Sequence, residues 1–217
     1  MRFARNREIE LTDDGLLCRM MAGDEEAFAL LYRRKHPAIY RFALHMSGNA
    51  SVADDVTQEV FMALIRDTAR FDPAKGTLSG FLFGIARNHV HKRWEQDRRM
   101  VLLDDGNEDR PRFEPRNGHS RLSAFGGNGT SVLAHPADQF ASAETVSRVR
   151  RAIATLPENY REVVVLCELE EMSYEDAAAA LNCPVGTVRS RLHRARALLL
   201  EKLRETEPVG RASAVSE

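Results

Sequence analysis

Cysteine is scarce in this chain. Cys18, Cys167 and Cys183 are the only three, scattered and without a Cys-x-x-Cys pair. That excludes a disulfide framework and argues against a zinc site; reduced core thiols in a cytoplasmic protein are expected. No apolar run is long enough to span a bilayer, and nothing resembles a signal peptide, so no membrane insertion is expected. A phosphate-binding loop, a metal-binding carboxylate cluster and a nucleophile–base pairing are also missing. No cofactor, metal or catalytic residue is therefore expected, and a hydrolytic enzyme is the remotest reading. Net charge is nearly absent too, at −1, but that sum conceals acids and bases segregated along the chain. A nucleic-acid protein need be basic only where it touches.

What is present allows one large domain or two small ones in 217 residues, with 43% hydrophobic residues to build cores. The most specific stretch is 166–203. Ser173-Tyr174-Glu175-Asp176 reads as a capping box, a hydroxyl at a helix start answered by an acid three residues on. Tyr174, Ala177, Ala178 and Leu181 then make one apolar helical stripe. Three more alanines after Ala177 would let another helix approach closely. Asn182-Cys183-Pro184 breaks the pattern, and the proline suits the first turn of a second helix. That helix buries Val188, Leu192, Ala195 and Leu199 and projects Arg189, Arg191, Arg194 and Arg196, with Thr187, Ser190 and His193 between them. Two helices at a tight turn, the second strongly basic, describe a helix-turn-helix entering a major groove. Arginine there can clamp phosphates or read guanine edges. A solvated arginine face is the bland alternative. The acidic preceding segment (Glu168, Glu170, Glu171, Glu175, Asp176) and the turn chemistry count against it.

Upstream, helices are expected throughout. Residues 1–10 read as frayed. Thr12-Asp13-Asp14 caps a short helix carrying Leu16, Leu17, Met20 and Met21, which Gly23 stops. Asp24-Glu25-Glu26 opens a long segment with Phe28, Leu31, Tyr32, Ile39 and Phe42 inward. Pro37 should kink or divide that segment, and Ser47-Gly48-Asn49 ends it. Ser51 begins a helix with Val56, Val60, Ala63 and Leu64 on one face and Asp55, Gln58, Glu59 and Met62 toward another. Phe71-Asp72-Pro73-Ala74-Lys75-Gly76 is a loop. The following helix runs to about Arg99, with Leu78, Phe81, Leu82, Ile85 and His89 inward. Arg87, Lys92, Arg93, Arg98 and Arg99 make it basic, with Asn88, His89 and His91 interspersed. Charge interleaved with aromatics and amides suits single-stranded DNA, while a core helix with a solvated basic edge is the rival for Phe81, Leu82 and Trp94. Glycines, prolines and mixed charges dissolve the pattern over 101–137, which reads as a flexible linker. Helical order resumes near Asp138 and continues to 205, before a tail.

Several of these residues carry a family likeness. Leu156-Pro157, Arg161, Ser173-Tyr174-Glu175, Gly186-Thr187-Val188, Ser190-Arg191-Leu192 and Arg194-Ala195-Arg196 resemble region 4 of bacterial sigma factors. The extracytoplasmic-function (ECF) group of the sigma-70 family is the nearer likeness. Asp54-Asp55-Val56-Thr57-Gln58-Glu59-Val60-Phe61 resembles the sigma region that docks on the polymerase clamp. Phe71, Ile85, Ala86, Asn88 and Asp97-Arg98-Arg99 fit region 2, although Phe81 stands where tryptophan is common and Gly80 and Gly84 are unusually small. The departure in region 4 is Asp176-Ala177-Ala178, which loses a little core volume.

The resemblance implies an all-α chain of two small helical domains, 12–100 and 138–205, joined by the 101–137 linker. It implies upstream (−35) contacts at Tyr174, Glu175, Thr187, Arg189, Ser190, Arg191, His193 and Arg194. Downstream (−10) contacts are implied at Phe71, Ile85, Asn88, His91, Lys92, Arg98 and Arg99. Asp54, Asp55, Gln58, Glu59, Phe61 and Met62 would bind core RNA polymerase at the β′ clamp coiled coil, with the β flap as a second contact. Promoter DNA and an anti-sigma factor are the other implied partners. An autonomous duplex-DNA regulator would leave residues 54–61 and 87–99 without a task. A mimic that only sequesters an anti-sigma protein would not need DNA-facing arginines at both ends.

Overall fold

The computed structural model of the chain describes residues 12–104 and 136–205, and all the regular structure among them is helical. Residues 1–10, most of the expected linker and the tail lie outside the described residues. The linker's two edges are helical: the helix before it continues to Asp104, and the one after it starts at Pro136.

Helix α1 (Asp13–Met21) starts at Thr12, whose Oγ1 accepts from Gly15 N at 3.1 Å. Helix α2 (Glu25–Ser47) is capped by Asp24, which accepts from Ala27 N at 3.0 Å, and ends on Gly48 at φ 67°. That left-handed residue is the cheapest way to close a helix, because glycine has no Cβ to clash. Pro37 does not divide α2. It removes one helical hydrogen bond, but Leu31 on one side and Ile39, Phe42 and Met46 on the other are buried, and that packing holds the helix together. Tyr32, expected inward, is 38% exposed. Helix α3 (Ala50–Arg66) is capped by Asn49 and buries the expected Val56, Val60, Ala63 and Leu64, together with Ala53, Thr57 and Phe61.

A 3-10 turn (Thr68–Arg70) and a loop lead to α4 (Leu78–Asp104), whose buried apolar side chains among the described residues are Leu78, Leu82, Phe83, Ala86 and Val90. Phe81, Ile85 and His89 are only half-buried, so the inner face is rotated from the expected one. The reason is that α4 is covered on two sides, by α2 and α3 on one and by a helix of the C-terminal half on the other. Its apolar positions are correspondingly spread around the axis rather than gathered in one stripe.

The C-terminal half comprises α5 (Pro136–Ala154), α6 (Glu158–Val164), a π-helical turn (Val165–Leu169), α7 (Tyr174–Leu181) and α8 (Val185–Glu205). Arg161 clamps this half: Nη2 donates to the carbonyls of Ala154, at the end of α5, and Leu156, just beyond it, and Nη1 to Met46 O of α2 at 3.0 Å. The π-turn closes through Glu170 N to Val165 O at 3.0 Å, and Glu171 follows at φ 53°. Such widened turns are rare and redirect the chain beyond them. Cys18 is exposed rather than buried; Cys167 is half-buried, and burial pushes its thiol up to about 11.

The two expected helical blocks are both present, but they do not stand apart. Buried residues from Leu16 to Ala195 form one connected core. At the junction, burial depresses His45 on α2 to about 4, reinforced by the guanidinium groups of Arg150, Arg41 and Arg161. A depressed histidine contributes stability that is complete above its ordinary 6.5 and lost as pH falls toward about 4. The slope should be at most about 1 kcal/mol per pH unit, allowing for partial exposure. The melting temperature of the wild type should therefore fall relative to that of His45→Gln as the pH drops through this window. Parallel pH profiles for the two proteins would exclude His45 as the titrating group.

Candidate nucleic-acid and protein interfaces

The basic helix α8 is presented outward. Val188, Leu192 and Ala195 are buried, while Arg189, Ser190, His193 and Arg194 are exposed and Thr187 and Arg191 are partly so. This follows from helical periodicity, because the buried residues share one face and the polar ones occupy the rest. The helix before it is fixed by the Ser173 cap: Ser173 Oγ accepts from Asp176 N at 3.0 Å and donates to Asp176 Oδ2 at 2.8 Å. Asn182 at φ 50° closes α7, and Pro184 leads into α8. Arg189 lies over the Tyr174 ring at 5.8 Å, a cation–π contact that orients both side chains. Glu175 is exposed beside them. Arg196 projects as expected but is engaged: its Nε donates to Glu168 at 3.0 Å.

On α4, Asn88, Lys92, Arg98 and Arg99 are exposed and Ile85 is half-buried. Phe71, in the preceding loop, packs its ring against Phe81 at 5.6 Å between centroids. His91 is not open to a ligand. Its Nε2 lies 2.8 Å from Glu162 and its Nδ1 2.8 Å from Glu158. Arg87 Nε donates to the same Glu162 oxygen at 2.6 Å. Among the described residues, His91, Glu158 and Glu162 are the grouping whose ligand atoms approach within 4.8 Å. With Arg87 on Glu162 and Arg98 3.9 Å from Glu158, the arrangement is an ion-pair network already charge-balanced by protein.

On α3, Asp54, Gln58, Glu59 and Met62 are exposed, and Asp55 is half-exposed with its carboxylate 3.1 Å from Arg93. Phe61 does not reach this surface. It is 3% exposed, with Tyr32 at 4.6 Å and Phe28 at 6.5 Å, so it supports the face from beneath. Sequence reasoning missed Ile65, 53% exposed one turn beyond Met62. Its signal was an aliphatic residue standing outside the Val56–Val60–Leu64 stripe. Nor did it find the contacts between the halves. Arg41 on α2 grips Glu170 with two hydrogen bonds of 2.9 and 2.5 Å, and the Glu170 side chain is 3% exposed. Burial pushes the Glu170 carboxyl above its ordinary range, and Arg41 only partly offsets it.

Residues 31–100 match the model of sigma-70 region 2, and 147–199 that of sigma-70 region 4. The Escherichia coli K12 ECF sigma-E factor is 34% identical over 197 residues, covering 89% of this chain and 95% of that protein. The chain belongs to the ECF group of the sigma-70 family. Bacillus subtilis SigW is 32% identical over 84% of this chain and 92% of its own length. Mycolicibacterium smegmatis SigE is 32% identical over 80% of this chain, which spans 60% of that longer relative. Among solved structures, the Bartonella quintana sigma factor RpoE, in complex with the anti-sigma factor NepR, superposes with a TM-score of 0.60. It shares 28% identity over 83% of this chain and 98% of that one. CnrH in complex with the cytosolic domain of CnrY gives a TM-score of 0.61 at 25% identity, covering 90% and 99%. This sigma factor thus directs transcription initiation and is not an enzyme. No helix among the described residues is long and apolar enough to cross a membrane.

Proposed function

We propose that the two halves of this sigma factor read the two promoter elements separately, 12–100 the downstream and 138–205 the upstream one. The outward face of α8 carries the upstream reading: Arg189, Ser190, His193 and Arg194 stand exposed over a fully buried opposite face. Arg191, Thr187, Tyr174 and Glu175 flank it. On α4, Asn88 with Ile85 and the Phe71 loop would receive a base unstacked from the downstream element, and Lys92, Arg98 and Arg99 would hold its backbone. Unstacking costs a few kcal/mol, which an aromatic wall, an apolar floor and an amide that both donates and accepts can return. Asp54, Asp55, Gln58, Glu59 and Met62 on α3 would dock on the β′ clamp coiled coil, and 138–205 on the β flap. An anti-sigma factor is the expected regulatory partner, and the cytoplasm the working compartment.

Run-off transcription with core polymerase tests this. Asn88→Ala is expected to keep polymerase binding near wild type yet flatten base preference at one position of the downstream element. An unchanged preference profile across promoters varied at every position would remove the pocket.

A further inference from the structure

Glu168 stands in the π-turn, its side chain 40% exposed. A carboxylate beside a DNA-facing helix repels the phosphate backbone and costs affinity for every sequence. It is nevertheless firmly engaged: Arg196 Nε and Nη2 donate to its Oε1 at 3.0 and 2.5 Å. Those hydrogen bonds and the Glu168 charge raise the Arg196 guanidinium above its ordinary value, and the Tyr174 hydroxyl lies close enough to add to the effect. Tyr174 is the first residue of α7, set in place by the Ser173 cap, and it packs half-buried against the core. Over its ring lies the Arg189 guanidinium, at 5.8 Å. Glu168, Arg196, Tyr174 and Arg189 thus form one chain of contacts, drawn from the π-turn, α8 and α7. It ends on the reading face.

We propose that Glu168 and the Tyr174 hydroxyl are positioning residues, which fix the Arg189 guanidinium for one base of the upstream element without touching that base. An arginine side chain has many rotamers, and bidentate reading of a base edge uses one planar orientation of its guanidinium. A cation already held over a fixed ring has less freedom to lose on binding. Specificity gained at one position then offsets the affinity that the Glu168 charge costs everywhere. This rests on the assignment of α8 to the upstream element.

The test uses holoenzyme reconstituted from the full chain and core polymerase. It is offered a pool of duplex promoter fragments randomised at the upstream element, and separately a duplex without promoter elements; the bound fragments of the pool are sequenced. Arg189→Ala should lower preference at one position by about tenfold. Glu168→Ala and Tyr174→Phe should each lower it at that same position by about two- to fivefold. In the Arg189→Ala background neither should lower it further. Glu168→Ala should also bind the promoterless duplex at least as tightly as wild type, because a repelling charge has gone. A residue that only stabilised the fold would weaken binding to both kinds of duplex. Tyr174→Phe keeps the test alive if Glu168→Ala fails to fold, and the reverse. The positioning role is overturned if the folded variants leave that position unchanged, weaken all sequences alike, or add their losses to that of Arg189→Ala. In each of those cases an eroded position in the Arg189→Ala profile still upholds reading by α8. An Arg189→Ala profile identical to that of wild type overturns both the reading by Arg189 and its positioning.

Discussion

Arg194→Ala should weaken binding of the upstream element by about 1–3 kcal/mol, as expected for loss of a bidentate base contact. Arg194 is exposed on α8, so the substitution should leave the melting temperature near wild type. The distribution of the loss matters more than its size. A base contact removes preference at one position, whereas a phosphate contact weakens all sequences alike and lowers the salt slope. Arg191 is half-buried, and Arg191→Ala should therefore add a small packing cost to any loss of DNA affinity. Arg196→Ala is the contrasting control, since its guanidinium is held by Glu168. Equal promoter defects for Arg194→Ala and Arg196→Ala would mean that the reading face of α8 has been drawn wrongly.

The second large effect is expected on polymerase. Reversing both acids of α3, Asp55→Lys with Glu59→Lys, should lower affinity for core polymerase at least about tenfold, or roughly 1.4 kcal/mol. Both are at least partly exposed. Reversal breaks the Asp55–Arg93 pair, but each partner is more than two-fifths exposed, so the stability lost is small. Co-purification of the folded double variant with core polymerase at wild-type levels would exclude this face. Met62 and Ile65, exposed at 50% and 53%, extend the same surface with apolar area.

The local structure was largely legible in the sequence. Thr12, Asp24 and Ser173 cap helices where the residue types demanded it, because capping is settled within one turn. The helix-turn-helix was legible for the same reason. What stayed hidden was the partner of each buried face. Periodicity reports that a face is buried, not what buries it, so the covering of α4 from two sides, and with it the burial of Phe83 and Val90, was not legible. The clues to closure were there in Gly80 and Gly84, in the alanines of α7, and in the acids around Glu170. Gly80 and Gly84 read only as unusually small for the family, the alanines as room for an unspecified helix to approach, and the acids as contrast for a basic helix. Together they are the junction between the halves. The π-turn had no sequence signal, since Val165–Leu169 is an ordinary apolar helical run.

The most direct test of the two-face reading is transcription by reconstituted holoenzyme from a template pool with both promoter elements randomised, with sequencing of the transcribed templates. Wild type should enrich two separate blocks of sequence. Arg194→Ala should erode only the upstream block and Asn88→Ala only one position of the downstream block. Erosion of the same block by both substitutions, or of neither block by either, would contradict the assignment of α8 and α4 to separate elements.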